Sequence, residues 1–347
     1  MNMKLANNLS NAIRLSFGLA CFFGATNMAS AVELEKIALN TYQDSVKSAV
    51  VQTKTANNFT GPKAHVDEVC KRIAKKLGSV RLSDCKGRGM EPTGGYSVGN
   101  LPIIVKEYGP VGARTPQAKV LLIGGIHGDE YSSVSLVFKW MKILDRHHSG
   151  LFHWKMVPVM NPDGLLQKKS QRMNKNGVDL NRNFPTPNWE AETHKYWIKT
   201  SRNPRRYPGS APLSEPESQW LANYIAEFKP DVIVSVHAPF GILDFDGPRA
   251  APKKFGPLQL NLLGTYPGSL GNYAGINKQI PVVTIELPYA GIMPKKHEID
   301  SIWMDLVKWL KRNSSEITRQ AERDKPNFNP QASQPAMIET KVSSNDS

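Results

Sequence analysis

Five apolar runs, at residues 103–106, 120–123, 155–159, 232–236 and 282–285, are separated by helical patterns, and several are unbroken stretches of β-branched and aliphatic side chains. A strand with one wet face alternates polar and apolar residues, whereas a run that is apolar throughout needs cover on both faces. The expected fold class is therefore α/β, with a mixed, largely parallel central sheet flanked by helices. The helical patterns fit. Val134, Val137, Phe138, Met141 and Leu144 share one stripe of a helix beginning near Tyr131, and Ile302, Leu306 and Leu310 share one over 298–311. Ser214 and Glu217 stand at capping-box spacing ahead of another helix. These elements place the main domain at residues 93–312.

The flanks differ in character. Lys4 and Arg14 are the only charges in residues 1–31, an apolar run follows them, and Ala29-Ser30-Ala31 supplies small residues at a cleavage spacing. This is the layout of a secretory signal peptide cut after Ala31, so the expectation is export to the periplasm. A lipoprotein signal ending at Cys21 is the rival, with Gly18 standing where a larger aliphatic residue is usual. The run is too short to cross a hydrocarbon core of about 30 Å, so no stable membrane span is expected after cleavage. Residues 32–92 read as a helical N-terminal extension, with Val66, Val69, Ile73 and Leu77 on one stripe and a glycine-rich break over 87–95. Residues 313–347 are polar, carry Pro326, Pro330 and Pro335, and are expected to be disordered.

Removing Lys4 and Arg14 with the signal takes the net charge from +14 to +12, which favours anionic partners such as a cell wall. The basic residues are scattered, and no nucleic-acid fold signature accompanies them, so nucleic acid is not an expected partner. Cys70 and Cys85 remain after cleavage. An even pair in an exported chain suggests one disulfide, closing a loop worth about 3 kcal/mol, while two buried thiols are the alternative.

The chemistry concentrates where strands end. After Ile123 come Gly124 and Gly125, then Ile126-His127-Gly128-Asp129-Glu130. That spacing leaves His127 on the loop and Glu130 at the first turn of the next helix, both beyond a strand's carboxyl end, where open α/β sheets bind ligands. Two residues hold zinc poorly; two histidines and a carboxylate form a recognised catalytic set with a position left for water. Of the eight histidines, His237 alone of the others closes a buried strand, Val232-Ile233-Val234-Ser235-Val236-His237. His127, Glu130 and His237 are thus the candidate ligands of one zinc ion per chain.

Further motifs follow in order: Asn161-Pro162-Asp163-Gly164, then Gly177-Val178-Asp179-Leu180-Asn181-Arg182-Asn183, and Thr284-Ile285-Glu286-Leu287 at another strand end. Through these, residues 95–310 resemble the zinc metallocarboxypeptidase family, the carboxypeptidase A-like peptidases, and their α/β/α fold. The resemblance implies that Glu286 is the general base acting on the zinc-bound water and then the acid for the leaving amine. It implies that Arg172 stabilises the oxyanion, and that Asn181 and Arg182 bind the substrate's terminal carboxylate. Physical chemistry asks for the same types, since a guanidinium grips a carboxylate in two-pronged fashion and a fixed cation must face a developing oxyanion. Asp179 fits as the partner of a liganding histidine, or as a plain turn residue before Leu180. For the family's mobile tyrosine, Tyr266 and Tyr273 compete.

The His-Gly-Asp-Glu form, the short loop before Arg172, and Arg206-Tyr207-Pro208-Gly209 are most similar to the bacterial murein peptide amidase A branch. That similarity implies cleavage of the γ-D-glutamyl–meso-diaminopimelate bond in cell-wall peptides. The other readings are general C-terminal peptide trimming, an acyl-amino-acid deacylase of the aspartoacylase and succinylglutamate desuccinylase type, and a catalytically dead wall-binding module.

Overall fold

The computed structural model describes residues 63–323. The expected signal peptide at 1–31, residues 32–62, and the tail beyond Arg323 lie outside the described residues. Nine strands are described: β1 (Glu91–Tyr96), β2 (Pro102–Tyr108), β3 (Lys119–Gly124), β4 (His153–Val157), β5 (Val232–His237), β6 (Ile242–Asp246), β7 (Lys254–Phe255), β8 (Leu258–Leu260) and β9 (Val282–Glu286). They form one sheet in the order β1-β2-β4-β3-β5-β9-β6-β8-β7. The four central strands β4, β3, β5 and β9 are parallel, and β2 and β6 flank them antiparallel. The fold is the mixed, largely parallel α/β sheet that the continuous apolar runs require.

Burial explains those runs. Val120, Leu121, Leu122 and Ile123 of β3 are all fully buried, with Val120 and Leu122 in one core and Leu121 and Ile123 in the other. The helices are α1 (Lys63–Lys76), α2 (Tyr131–His147), α3 (Pro162–Leu166), α4 (Trp189–Lys199), α5 (Pro216–Phe228) and α6 (Lys296–Arg323). The first core takes the stripes of α1, α2 and α6, including Ile73, Val137 and Leu306. The second takes Leu221 and Ile225 of α5, together with Tyr273 and Ala274 of a π-helical segment, Gly271–Asn277. Each such aliphatic side chain contributes about 1.5–3 kcal/mol relative to exposure.

Several local readings change. The strand read at 155–159 pairs as His153–Val157, so it both begins and ends two residues earlier. Within the glycine-rich stretch 87–95 lies most of β1, paired antiparallel to β2. The capping box at Ser214 does not form: Pro216 opens α5, Glu215 is the N-cap, and Glu217 instead accepts from the Val98 N–H and from Asn174. The last helix continues past residue 312, where Asn313 and Ser314 are still buried. Cys70 of α1 and Cys85 are joined in a disulfide, both fully buried.

The chain runs from β3 to β4 on one side and later returns as β5 on the other. Their carboxyl ends therefore open a crevice at a reversal of strand order, the position where such sheets bind ligands.

Candidate active site

His127 follows β3 on a loop whose shape depends on two close approaches. Gly125 adopts a left-handed φ of +61°, and a Cβ on Gly128 would overlap the backbone of Gly164 and Leu165. The Asn-Pro-Asp-Gly motif is thus the surface on which the histidine loop rests. Asn161 caps α3 by accepting from Gly164 N (2.8 Å), and its amide donates to the Arg172 carbonyl (3.1 Å) and to that of Ile126 (3.4 Å). One buried side chain so ties together the histidine loop, the capped turn and the arginine segment.

His127, Glu130 and His237 converge, all at least nine-tenths buried. His127 Nδ1 lies 2.8 Å from Glu130 Oε1 and 3.2 Å from His237 Nδ1, and His237 Nδ1 lies 3.3 Å from Glu130 Oε2. Asp179 Oδ1 faces Nε2 of His127 at 3.2 Å, and Ser235 Oγ lies 2.9 Å from Nε2 of His237. With the proton of His127 on the Asp179 side, its Nδ1 lone pair turns inward to meet those of Glu130 and His237. Two imidazole nitrogens and a carboxylate aimed at one point repel one another unless a cation lies between them. Ligands about 2.0–2.1 Å from a tetrahedral zinc stand roughly 3.3 Å apart, and two of the three separations, 3.2 and 3.3 Å, match that spacing.

Asp179 has three partners. Its Oδ1 accepts from the Asn181 N–H (3.0 Å) as well as facing His127, and its Oδ2 accepts from Arg172 Nε (3.0 Å). The residue is both the turn cap and the histidine's partner, so the two sequence readings are not exclusive. Burial would raise its pKa, but Arg172 and His127 hold the carboxyl far below its ordinary range. The Glu130 carboxyl is likewise held low against burial by the two histidines. Arg172 Nη1 reaches 3.1 Å from His127 Nδ1, which puts the guanidinium at the edge of the ligand triangle.

A cavity of about 410 Å³ opens over this triangle, lined also by Arg172, Asn181, Arg182, Tyr266 and Glu286. Glu286 ends β9 in register with His237 of β5. It is 6% exposed, and Oε2 is buried with no hydrogen-bond partner among the described residues. Burial pushes this carboxyl above its ordinary range, with His237 opposing and Glu130 reinforcing the shift. Arg182 is buried between two aromatic rings, 4.6 Å from the centre of Tyr266 and 5.4 Å from that of Tyr196, and its Nε has no partner. Gly268 fits against the Arg182 carbonyl where a Cβ would overlap it. The side-chain oxygen of Asn181 accepts from Leu270 N at 2.8 Å.

The two competing tyrosines part company. Tyr266 lines the cavity, whereas Tyr273 packs in the second core, its ring 5.5 Å from that of Phe184. Lining residues that sequence reasoning missed include Asp244, Asp246 and Tyr196. The signal was present in Ile242-Leu243-Asp244-Phe245-Asp246, a strand that alternates from Leu243 onward with both acids on one face.

The family profile described as "Zinc carboxypeptidase" matches residues 92–240, which take in the ligand triad and the turn at Asp179 but not Glu286. Murein peptide amidase A of Escherichia coli (strain K12) is 34% identical over 180 residues, covering 48% of this chain and 70% of that one. Murein peptide amidase A of Vibrio campbellii is 29% identical over 202 residues, covering 56% and 77%. Among solved structures, carboxypeptidase A from Helicoverpa armigera superposes with a TM-score of 0.52 at 16% identity, covering 89% of this chain and 86% of the other, which shows a shared fold.

Proposed function

Because the chain belongs to the zinc carboxypeptidase family and is thereby a peptide or amide hydrolase, we propose that it is an exported enzyme of the cell wall. Its substrate is the γ-D-glutamyl–meso-diaminopimelate bond of murein peptides, cut next to a free carboxylate. The observation that carries the chemistry is one cavity holding the His127, Glu130 and His237 triad, the Glu286 carboxylate with its Oε2 unpartnered, and the buried Arg182. The substrate assignment is supported by the likeness to murein peptide amidase A over more than two thirds of those relatives' lengths. Export is supported by the layout of residues 1–31, and the described residues contain no helix long and apolar enough to cross a membrane.

One zinc ion held by His127, Glu130 and His237 would polarise the scissile carbonyl and lower the pKa of water. Glu286 takes the proton of the attacking water, a task suited to a carboxyl whose affinity for protons burial has raised. The same carboxyl returns that proton to the leaving amine. Arg172, anchored on Asp179, presents Nη1 to the oxygen that gains negative charge. Arg182, with Asn181, receives the substrate's carboxylate, and the rings of Tyr266 and Tyr196 hold the guanidinium flat for a two-pronged contact.

Incubation with murein tripeptide should release free diaminopimelate, and elemental analysis should find about one zinc per chain. Release of C-terminal residues from ordinary peptides, with the tripeptide untouched, would replace the wall assignment by general trimming. A secreted form beginning at Val32 is the expected product of export, and a full-length chain retained in the cytoplasm would remove that part of the reading.

A further inference from the structure

The cavity has a second charged feature that the hydrolysis does not use. Alternate residues of β6 and β9 face it, with Asp244 directly across from Thr284 and Ile242 across from Glu286. Asp244 is 6% exposed and accepts from Leu263 N (3.1 Å), so it is committed to the adjoining loop. Asp246 is 8% exposed and has no hydrogen-bond or ion-pair partner among the described residues. Two glycines of the π-helical segment make room for it. A Cβ on Gly271 would overlap Oδ2 of Asp246, and one on Gly275 would press on its side-chain Cβ. Burial and the neighbouring Asp244 push the Asp246 carboxyl up to about 7.

An acid held in such a niche costs free energy when ionised unless a cation arrives. The nearby arginines are otherwise engaged: Arg172 on Asp179, Arg205 on Asp129 at 2.7 Å, and Arg206 on the Tyr196 hydroxyl at 2.6 Å. Arg182 lies between Tyr196 and Tyr266. The cation must then come from the ligand. We propose that Asp246, backed by the charge of Asp244, binds the side-chain ammonium of the residue released, making it the specificity-determining residue for an amino acid with a second amine. The leaving residue thereby carries a carboxylate for Arg182 and an ammonium for Asp246, and both of those residues line the one cavity. Lysine has this chemistry, as does diaminopimelate, whose distal ammonium is accompanied by a second carboxylate; a residue with a neutral side chain leaves the acids without a cation.

The inference rests on the hydrolase reading, and the test separates the two. The zinc-loaded full chain and Asp246→Asn are assayed on γ-D-glutamyl-meso-diaminopimelate and on its analogue with hydrogen replacing the distal amine. The natural protein should prefer the amine by about 100-fold in kcat/KM, and the substitution should bring that ratio to within about 5-fold. Equal cleavage of both substrates by the natural protein, or an unchanged ratio in Asp246→Asn, overturns the proposal. Asparagine has the same size and removes a repulsion beside Asp244, so a melting temperature no lower than that of the natural protein is expected. Peptides ending in lysine and in norleucine form the second arm. Preference for lysine, lost in Asp246→Asn, without cleavage of the wall substrate, upholds Asp246 and refutes the murein assignment. Calorimetry with free meso-diaminopimelate and 2-aminopimelate gives the same comparison without turnover: tighter binding of the diamine, lost in Asp246→Asn, supports the assignment, and equal binding refutes it.

Discussion

Asp179 Oδ1 lies 3.2 Å from Nε2 of His127 while its Oδ2 accepts from Arg172, so one buried carboxylate orients both the imidazole of a candidate metal ligand and the cation beside it. The consequence is a fixed tautomer: Nε2 keeps the proton, and Nδ1 points at Glu130 and His237. Asp179→Asn offers an amide where two donors converge and favours the wrong tautomer. Zinc affinity should fall about 10–100-fold, read by competition against a chelator. An unchanged affinity would show that the turn alone holds His127.

Glu286→Gln keeps the size of the side chain and removes its ability to take a proton. The variant should retain about one zinc per chain and lose on the order of 10²–10⁴ in kcat. Turnover near that of the natural protein would assign the base elsewhere.

Glu217 gives a pH dependence unconnected with the metal ligands. Its side chain is fully buried, and burial pushes the carboxyl up to about 7 despite bonds from Asn174 and Val98. In the unfolded chain it titrates near 4.3, as an ordinary glutamate does. Between the two values the folded state binds the extra proton. Its contribution is therefore full below about 4.3 and is lost as pH rises through about 7, at up to about 1.4 kcal/mol per unit. Chemical denaturation from pH 4 to 8 should show this slope together with a like one from Asp246, and Glu217→Gln should remove the share of Glu217. The slope is the readout, because the new amide also alters the contact with Asn174.

Replacing both Cys70 and Cys85 by serine frees α1 from the loop that follows it. Stability should drop by about 2–4 kcal/mol in urea titrations, with kcat/KM unaffected once folded. A loss of activity in the folded variant would mean that α1 shapes the site.

The capping box at Ser214 shows why local reading has limits. Spacing alone favours a bond from Glu217 back to the helix start, yet tertiary structure brings Val98 and Asn174 within reach of the same carboxylate. The same holds for β1, whose glycines read as a break until β2 supplies its partner.

What the sequence by itself determined is the central sheet and the grouping of the candidate metal ligands at its strand ends. Continuous apolar runs can be buried only as interior strands, and His127, Glu130, His237 and Glu286 each adjoin the end of one, so local pattern and site position coincide. The strand order, the burial of Tyr273 against the placement of Tyr266, and the entry of Asp244 and Asp246 into the cavity were decided by the tertiary structure alone. Alternation along β6 says that its acids share a face. Only pairing with β9, beneath Gly271 and Gly275, determines that this face looks onto the site rather than into water.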